Sequence, residues 1–208
     1  MLPLFLNVEN RLCVVVGGGP VGQRKARALL DAGAKVRLIC LEKAPMSAER
    51  LNWVTEPYQS QHLDSACLVV AAATPAVNAR VIADARERGL LVNSAYDPAA
   101  GDFYFPSVVR RGEFVLAIGT MGAAPALSRR VRERLETDFD EAFGTWVRLL
   151  GEMRPEILFA VPDASLRHAI FTRLSDWDWL ERLRREDEST VREAMRAEAH
   201  RVAERLIE

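Results

Sequence analysis

The chain has 208 residues, enough to bury a sizeable core in one large domain or in one domain with a helical appendage. Hydrophobic residues at 49% and charged residues at 27% exclude a disordered chain. With 28 basic and 29 acidic side chains the net charge is −1, so the molecule as a whole is no polyanion binder and any basic site must be local.

The opening MLPLFL is apolar but lacks the basic flank and length of a secretory signal. No later run approaches the ~20 apolar residues of a membrane span, so a cytosolic (cytoplasmic) protein that does not engage a membrane is expected. Short apolar runs then alternate with helical patterns, the order of a parallel sheet with crossover helices. The expected strands are Cys13 to Val16, Val36 to Cys40, Leu68 to Ala72 and Leu90 to Asn93. Val77 to Arg88 reads as a helix, with Gly89 where a C-terminal stop belongs. FYFPSVVRRGEFVLAIGT holds two β-rich stretches around Arg110, Arg111 and Gly112, a hairpin or sheet extension, with Pro106 arguing for an edge.

After Thr120 the pattern becomes helical. Leu127, Val131, Leu135, Phe139 and Phe143 form an apolar stripe between arginines and acids. Pro155 and Pro162 punctuate the next stretch, and Thr190 with Glu193 makes a capping-box pattern before the last helix. The expected division is 1–112, an α/β dinucleotide domain; 113–150, a dimerisation region; and 151–208, a helical C-terminal domain. The arginines are balanced by acids, so a solvated face is favoured over nucleic-acid binding. Cys13, Cys40 and Cys67 are odd in number and widely spaced, which points to free thiols, and His62, His168 and His200 fit no zinc spacing. No metal site is expected.

The chemistry-bearing motif is Gly17-x-Gly19-x-x-Gly22, which follows a strand and opens a helix. The first glycine permits a tight turn, the second lets the backbone approach a pyrophosphate, and the third lets the helix pack on the strand. Pro20 suits the first helical position, and the free N–H groups from Val21 onward would face the anion. Gly22, Ala26, Leu29 and Leu30 give that helix one apolar face. Leu41 and Glu42 lie just beyond the second strand, about 20 residues after Gly22, where an acid accepts from ribose hydroxyls and disfavours a 2′-phosphate. NAD is therefore expected over NADP, although Lys43 pulls the other way. The bland alternative is a glycine turn with no ligand.

With Arg24 and Lys25 attached, preceded by LPLFL and followed by DAGAKVRLIC, this motif resembles the N-terminal module of siroheme synthases and the free-standing precorrin-2 dehydrogenases. The likeness continues through VVAAATPAVNARV, which contains Thr74, then DFYFPSVVRRGEFVLAIGT and APALSRRVRERLE, about the first two-thirds of the chain. The resemblance implies a Rossmann-like parallel sheet followed by a dimerisation region and a helical domain, with Thr74 among the cofactor contacts. It implies NAD-dependent oxidation of precorrin-2 to sirohydrochlorin on the way to siroheme. Some members also insert the iron. It further implies a homodimer and an active site lying between domains.

Such a substrate is an octacarboxylate, for which Arg110, Arg111, Arg129, Arg130 and Arg132 are candidate partners; exposed, ion-paired arginines are the plain alternative. Thr120 matches a hydroxyl-bearing family position before a helix that Pro125 would open, and is expected either to meet substrate or to cap that helix. In VNSAYDP the family's aspartate is replaced by Tyr96, with Asp97 one residue later. Asp97 either takes over proton handling or begins the turn at Asp97-Pro98, and neutral Tyr96 is a poor base at pH 7. A chelatase with little redox role and a non-catalytic tetrapyrrole or NAD binder are the competing functions.

Overall fold

The computed structural model describes residues 1–42 and 46–205. The chain forms two compact units, Met1–Phe105 and Pro106–Glu208.

In the first unit, five strands form one parallel sheet: β1 (Leu12–Val16), β2 (Lys35–Cys40), β3 (Leu51–Thr55), β4 (Leu68–Ala71) and β5 (Leu91–Ser94). Their order is β3-β2-β1-β4-β5, so the chain reverses direction across the sheet beside β1. The expected strands agree within a residue at each end. β3 was not expected: it is a short edge strand with half-exposed side chains, and its pattern in sequence is weak.

Val14 and Val15 are fully buried yet belong to opposite faces of the sheet. Such two-sided burial explains why β1 reads as an unbroken apolar run. Helix α1 (Pro20–Asp31) covers one face through Ala26 and Leu29. Helix α2 (Pro75–Glu87) covers the other through Val81, Ile82 and Ala85. Past α2, Gly89 takes φ +64°, the left-handed conformation expected of a helix stop.

The second unit opens with the antiparallel hairpin β6 (Ser107–Arg111) and β7 (Phe114–Ile118), turning through Gly112 at φ +58°. The division between the units thus falls ahead of the hairpin, whereas a boundary at 112 would cut its turn. Helices α3 (Pro125–Asp138), α4 (Glu141–Ala160), α5 (Ala164–Leu174), α6 (Asp178–Leu183) and α7 (Glu188–Arg205) follow. One core joins Trp146, Leu149, Met153, Ile170, Leu174 and Met195, and Phe114 of the hairpin packs against it. A boundary at 150 would fall inside α4 and inside this core.

Three local expectations change. The stripe from Leu127 to Phe143 is not one helix: Phe139 leaves helical geometry, and the Asp140 carboxylate accepts from the Phe143 N–H at 3.1 Å, starting α4 afresh. Pro155 lies within α4, because burial of the flanking Met153 and Ile157 outweighs one lost helical bond. The last helix starts at Glu188, and its cap is Asp187 instead of Thr190. Hydrogen bonds from Ser189 and Thr190 hold that carboxylate well below the usual range.

Among the described residues no helix is long and apolar enough to cross a membrane. Likewise, no group of three or more His, Cys, Asp or Glu side chains could hold a metal ion. The three cysteines are free, with the Cys13 and Cys67 sulfurs 3.7 Å apart.

Candidate dinucleotide site

At the carboxyl edge of the sheet, β1 runs into Gly17, Gly18 and Gly19, and the three glycines differ in what their surroundings demand. Gly17 has φ +117°, and a Cβ there would lie 2.3 Å from the Ala72 carbonyl oxygen, just past β4. A Cβ on Gly22 would lie 1.9 Å from the Gly17 carbonyl oxygen. The protein's own backbone therefore requires both glycines. A Cβ on Gly19 would meet none of the described residues within 4 Å, and its φ is an ordinary −70°. No contact with the described residues explains Gly19, whereas a pyrophosphate drawn close to the backbone does.

Helix α1 begins directly above that space. Gly19 is its N-cap with no side-chain hydrogen bond, Pro20 occupies its first turn, and no acid lies there. The N–H groups of Val21 and Gly22 lack intrahelical partners by the geometry of any helix start, which makes this end an anion seat. Gln23 closes the turn, donating its side-chain N–H to the Gly18 carbonyl at 2.7 Å. The residues present fit a dinucleotide pyrophosphate.

Leu41 is 70% exposed and Glu42 is exposed, immediately beyond β2. A Cβ on Gly18 would lie 2.8 Å from the Cys40 Cβ, and the Cys40 thiol donates to the Glu42 carbonyl at 2.9 Å. The end of β2 is thus built against the glycine loop. Lys43 lies outside the described residues. Thr74 is exposed as the N-cap of α2, and its hydroxyl is not used in capping. Its segment is instead clamped by Asn78, whose amide accepts from the Ala73 N–H at 2.8 Å and donates to the Ala73 carbonyl at 3.1 Å. All eight cofactor candidates from the sequence sit along this one edge: Gly17, Gly19, Pro20, Val21, Gly22, Leu41, Glu42 and Thr74.

Tyr96 and Asp97 follow β5, at the far side of the same edge. Tyr96 is 62% exposed. Asp97 accepts from the Ala99 N–H at 3.2 Å, and its own N–H donates to the Ser94 hydroxyl, so it makes the turn. Beneath them Asn93 is buried and donates to the Phe103 carbonyl at 2.7 Å, while its own Oδ1 has no partner among the described residues. The carbonyl can only accept, which fixes the amide's orientation and leaves the oxygen as the orphan.

The substrate candidates of the second unit are not all drawn together. Thr120 follows β7, accepts from the Ala124 N–H at 3.1 Å and is 3.1 Å from the Ser128 hydroxyl. It braces the start of α3. Arg110 pairs with Val115 near the Gly112 turn, the other end of the hairpin, and is exposed with Val108 while Val109 and Arg111 face inward. Arg111 donates to the Glu136 carbonyl and meets Glu141 at 3.1 Å. Arg129 pairs with Glu133, and Arg132 with Glu133 and Glu136. Arg110 and Arg130 have no carboxylate partner among the described residues.

Sequence reasoning missed Asn78, Cys40 and Asn93. Asn78 carried a faint signal, a polar residue on an otherwise apolar helix face. Cys40 and Asn93 carried none, because their roles depend on contacts that only folding creates.

The family model described as "Putative NAD(P)-binding" matches residues 4–107. The siroheme synthase of Photobacterium profundum is 36% identical over 181 residues, 84% of this chain and 39% of that protein. That of Chromobacterium violaceum is 33% identical over 199 residues, 93% of this chain and 42% of that protein. The chain therefore spans less than half the length of these curated relatives. Among solved structures, SirC, precorrin-2 dehydrogenase, shares the fold with a TM-score of 0.74 at 23% identity, over 97% of this chain and 100% of that one. With the model covering half of its length and the glycine edge lying wholly inside the match, this chain belongs to that NAD(P)-binding family.

Proposed function

We propose that this chain oxidises precorrin-2 to sirohydrochlorin with NAD as hydride acceptor. One observation carries the reading: the space at Gly19, where no described residue comes within 4 Å of a Cβ position, beside the N–H groups that open α1. The siroheme synthases and the precorrin-2 dehydrogenase similar to the chain supply the reaction class.

NAD, when bound, supplies the hydride-accepting ring. The chain's own residues do the rest. Val21 and Gly22 N–H groups hold the pyrophosphate, the Thr74 hydroxyl and the Leu41 side chain border the nucleotide, and Glu42 accepts from ribose hydroxyls. Loss of a hydride leaves one proton to be removed, and Asp97, with Tyr96 beside it, is the residue for that step. Thr120, Arg110 and Arg129 are assigned to the substrate's carboxylates, with Arg110 the most available because its guanidinium is unpaired among the described residues. Helix α3 buries only Ser128 and exposes Leu127 at 55% and Val131 at 36%, an apolar face that a homodimer would cover.

The test is purified protein with precorrin-2 and either NAD or NADP, following NADH and the sirohydrochlorin spectrum. Oxidation with NAD and tighter calorimetric binding of NAD than of NADP are expected. No dinucleotide-dependent product would end the dehydrogenase reading, and equal NADP affinity would remove the role of Glu42. Asp97 favours one alternative, a non-catalytic binder, since its carboxylate already serves a turn. That alternative predicts NAD binding without turnover, and a chelatase predicts metallated product from ferrous or cobaltous ion without NADH.

A further inference from the structure

Most arginines of the second unit that border its helices are matched to acids, whereas several cations of the first unit have no carboxylate partner among the described residues, and of these Lys25 is the one that burial strips of water. Lys25 lies on α1 one turn beyond the N–H groups of the cradle. Its ammonium sits over the Phe105 ring, 4.0 Å from the centroid, and Phe105 is backed by Phe103 at 5.6 Å. Among the described residues no carboxylate pairs with it. Burial, with Arg24 adding repulsion, pushes the ammonium down to about 8. A half-buried cation held on an aromatic face has lost water that a cation–π contact replaces only in part. A carboxylate would complete its coordination.

We propose that Lys25, seated on Phe105, anchors a carboxylate of the macrocyclic substrate, an inference that rests on the dehydrogenase reading above. The other anion available to this edge is the dinucleotide pyrophosphate. The first-turn N–H groups and the open space at Gly19 already provide for it without a side chain, and Lys25 stands over an aromatic ring instead of over the glycine loop. An ammonium on a long stem also suits a flexible acetate or propionate arm, which needs a point charge and no fixed fork.

The test uses the full chain and uroporphyrin, a stable porphyrin with eight carboxylates, titrated by fluorescence in the presence of NAD. Coproporphyrin, with four, is the comparison, and NAD affinity is measured separately by calorimetry. Wild type should bind uroporphyrin more tightly than coproporphyrin. Lys25→Met should weaken uroporphyrin by roughly tenfold or more, the scale of one lost charge-assisted contact. Its NAD affinity should stay within about twofold, which also shows that the variant is folded, and Lys25→Arg should restore most of the porphyrin affinity. Unchanged uroporphyrin binding by a Lys25→Met variant that binds NAD would overturn the anchor while leaving the functional reading intact. Loss of NAD affinity in step with porphyrin would overturn it in favour of the pyrophosphate. Wild type that binds NAD but neither porphyrin would sink the functional reading, and the anchor with it.

Discussion

The two units solve the problem of polar groups in opposite ways. In the sheet unit, β1 and β4 are almost wholly apolar, with Val14, Val15, Val69 and Val70 fully buried. Polar functions gather where the strands end, around Gly17 to Gly22, Glu42, Thr74 and Asp97. In the helical unit, charges are spread over the surface and paired. Arg148 meets Glu152 and Glu188, Arg192 meets the same two acids, and Arg173 contacts Asp176, Asp178 and Glu198. The inner strands of a parallel sheet satisfy their backbone by pairing along their length, so in the middle of the sheet free N–H groups and a ligand meet where the strands end. Helices carry side chains on every flank and can use arginine–carboxylate pairs as a solvated coat. Arginine density in the sequence is therefore a poor guide to anion binding in this molecule, because most of those charges are already answered.

The comparison can be tested from its largest expected effect downwards. If packing and not ion pairing supports the helical unit, Trp146→Ala should cost about 3–5 kcal/mol. Trp146 is 5% exposed and donates to the Leu174 carbonyl at 3.1 Å. Denaturant melts giving less than about 1 kcal/mol would mean that the coat matters more than the core.

In the sheet unit, stability and binding should separate at Gly19. Gly19→Val should weaken NAD by at least roughly 10²-fold, about 2.7 kcal/mol, while the melting temperature barely moves, since its side chain enters open space. A folded variant with ordinary NAD affinity would break the assignment of the cradle.

Asp97→Asn sharpens the same separation. Asn can accept from the Ala99 N–H as Asp97 does, so the turn survives and only the carboxylate is lost. Turnover should fall roughly 10²-fold with NAD affinity unchanged, the scale of a missing general base. Full activity would make Asp97 a turn residue alone, and Tyr96→Asp, which places the carboxylate that the resemblance implies, would then show whether the step is weakened here. The smallest effect is expected at Arg148→Ala, under about 1 kcal/mol despite two carboxylate partners, because both lie in solvent. A larger loss, diminished by salt, would reveal a network stronger than its exposure suggests.

Much of this was legible before folding. Four strands, the second crossover helix, the hairpin and the glycine edge follow from apolar runs, turn residues and one motif. These signals are local, and each is carried by neighbouring residues. The stripe from Leu127 to Phe143 misled because periodicity continues across a break that only the Asp140 cap creates. Thr190 misled for a related reason: two capping patterns lie three residues apart, and Asp187 makes more bonds.

By itself, then, the sequence determined that the first half is a parallel α/β unit with a dinucleotide motif, because strand period, helix period and glycine spacing are short-range properties of the chain. Tertiary structure decided the rest. It showed that, among the described residues, Gly17 and Gly22 answer to backbone while Gly19 faces open space, that Arg111, Arg129 and Arg132 are paired with acids, and that Lys25 rests on Phe105 without one. Those distinctions depend on which groups meet across the fold, and hydrogen bonds, desolvation and charge pairing are properties of neighbours in space.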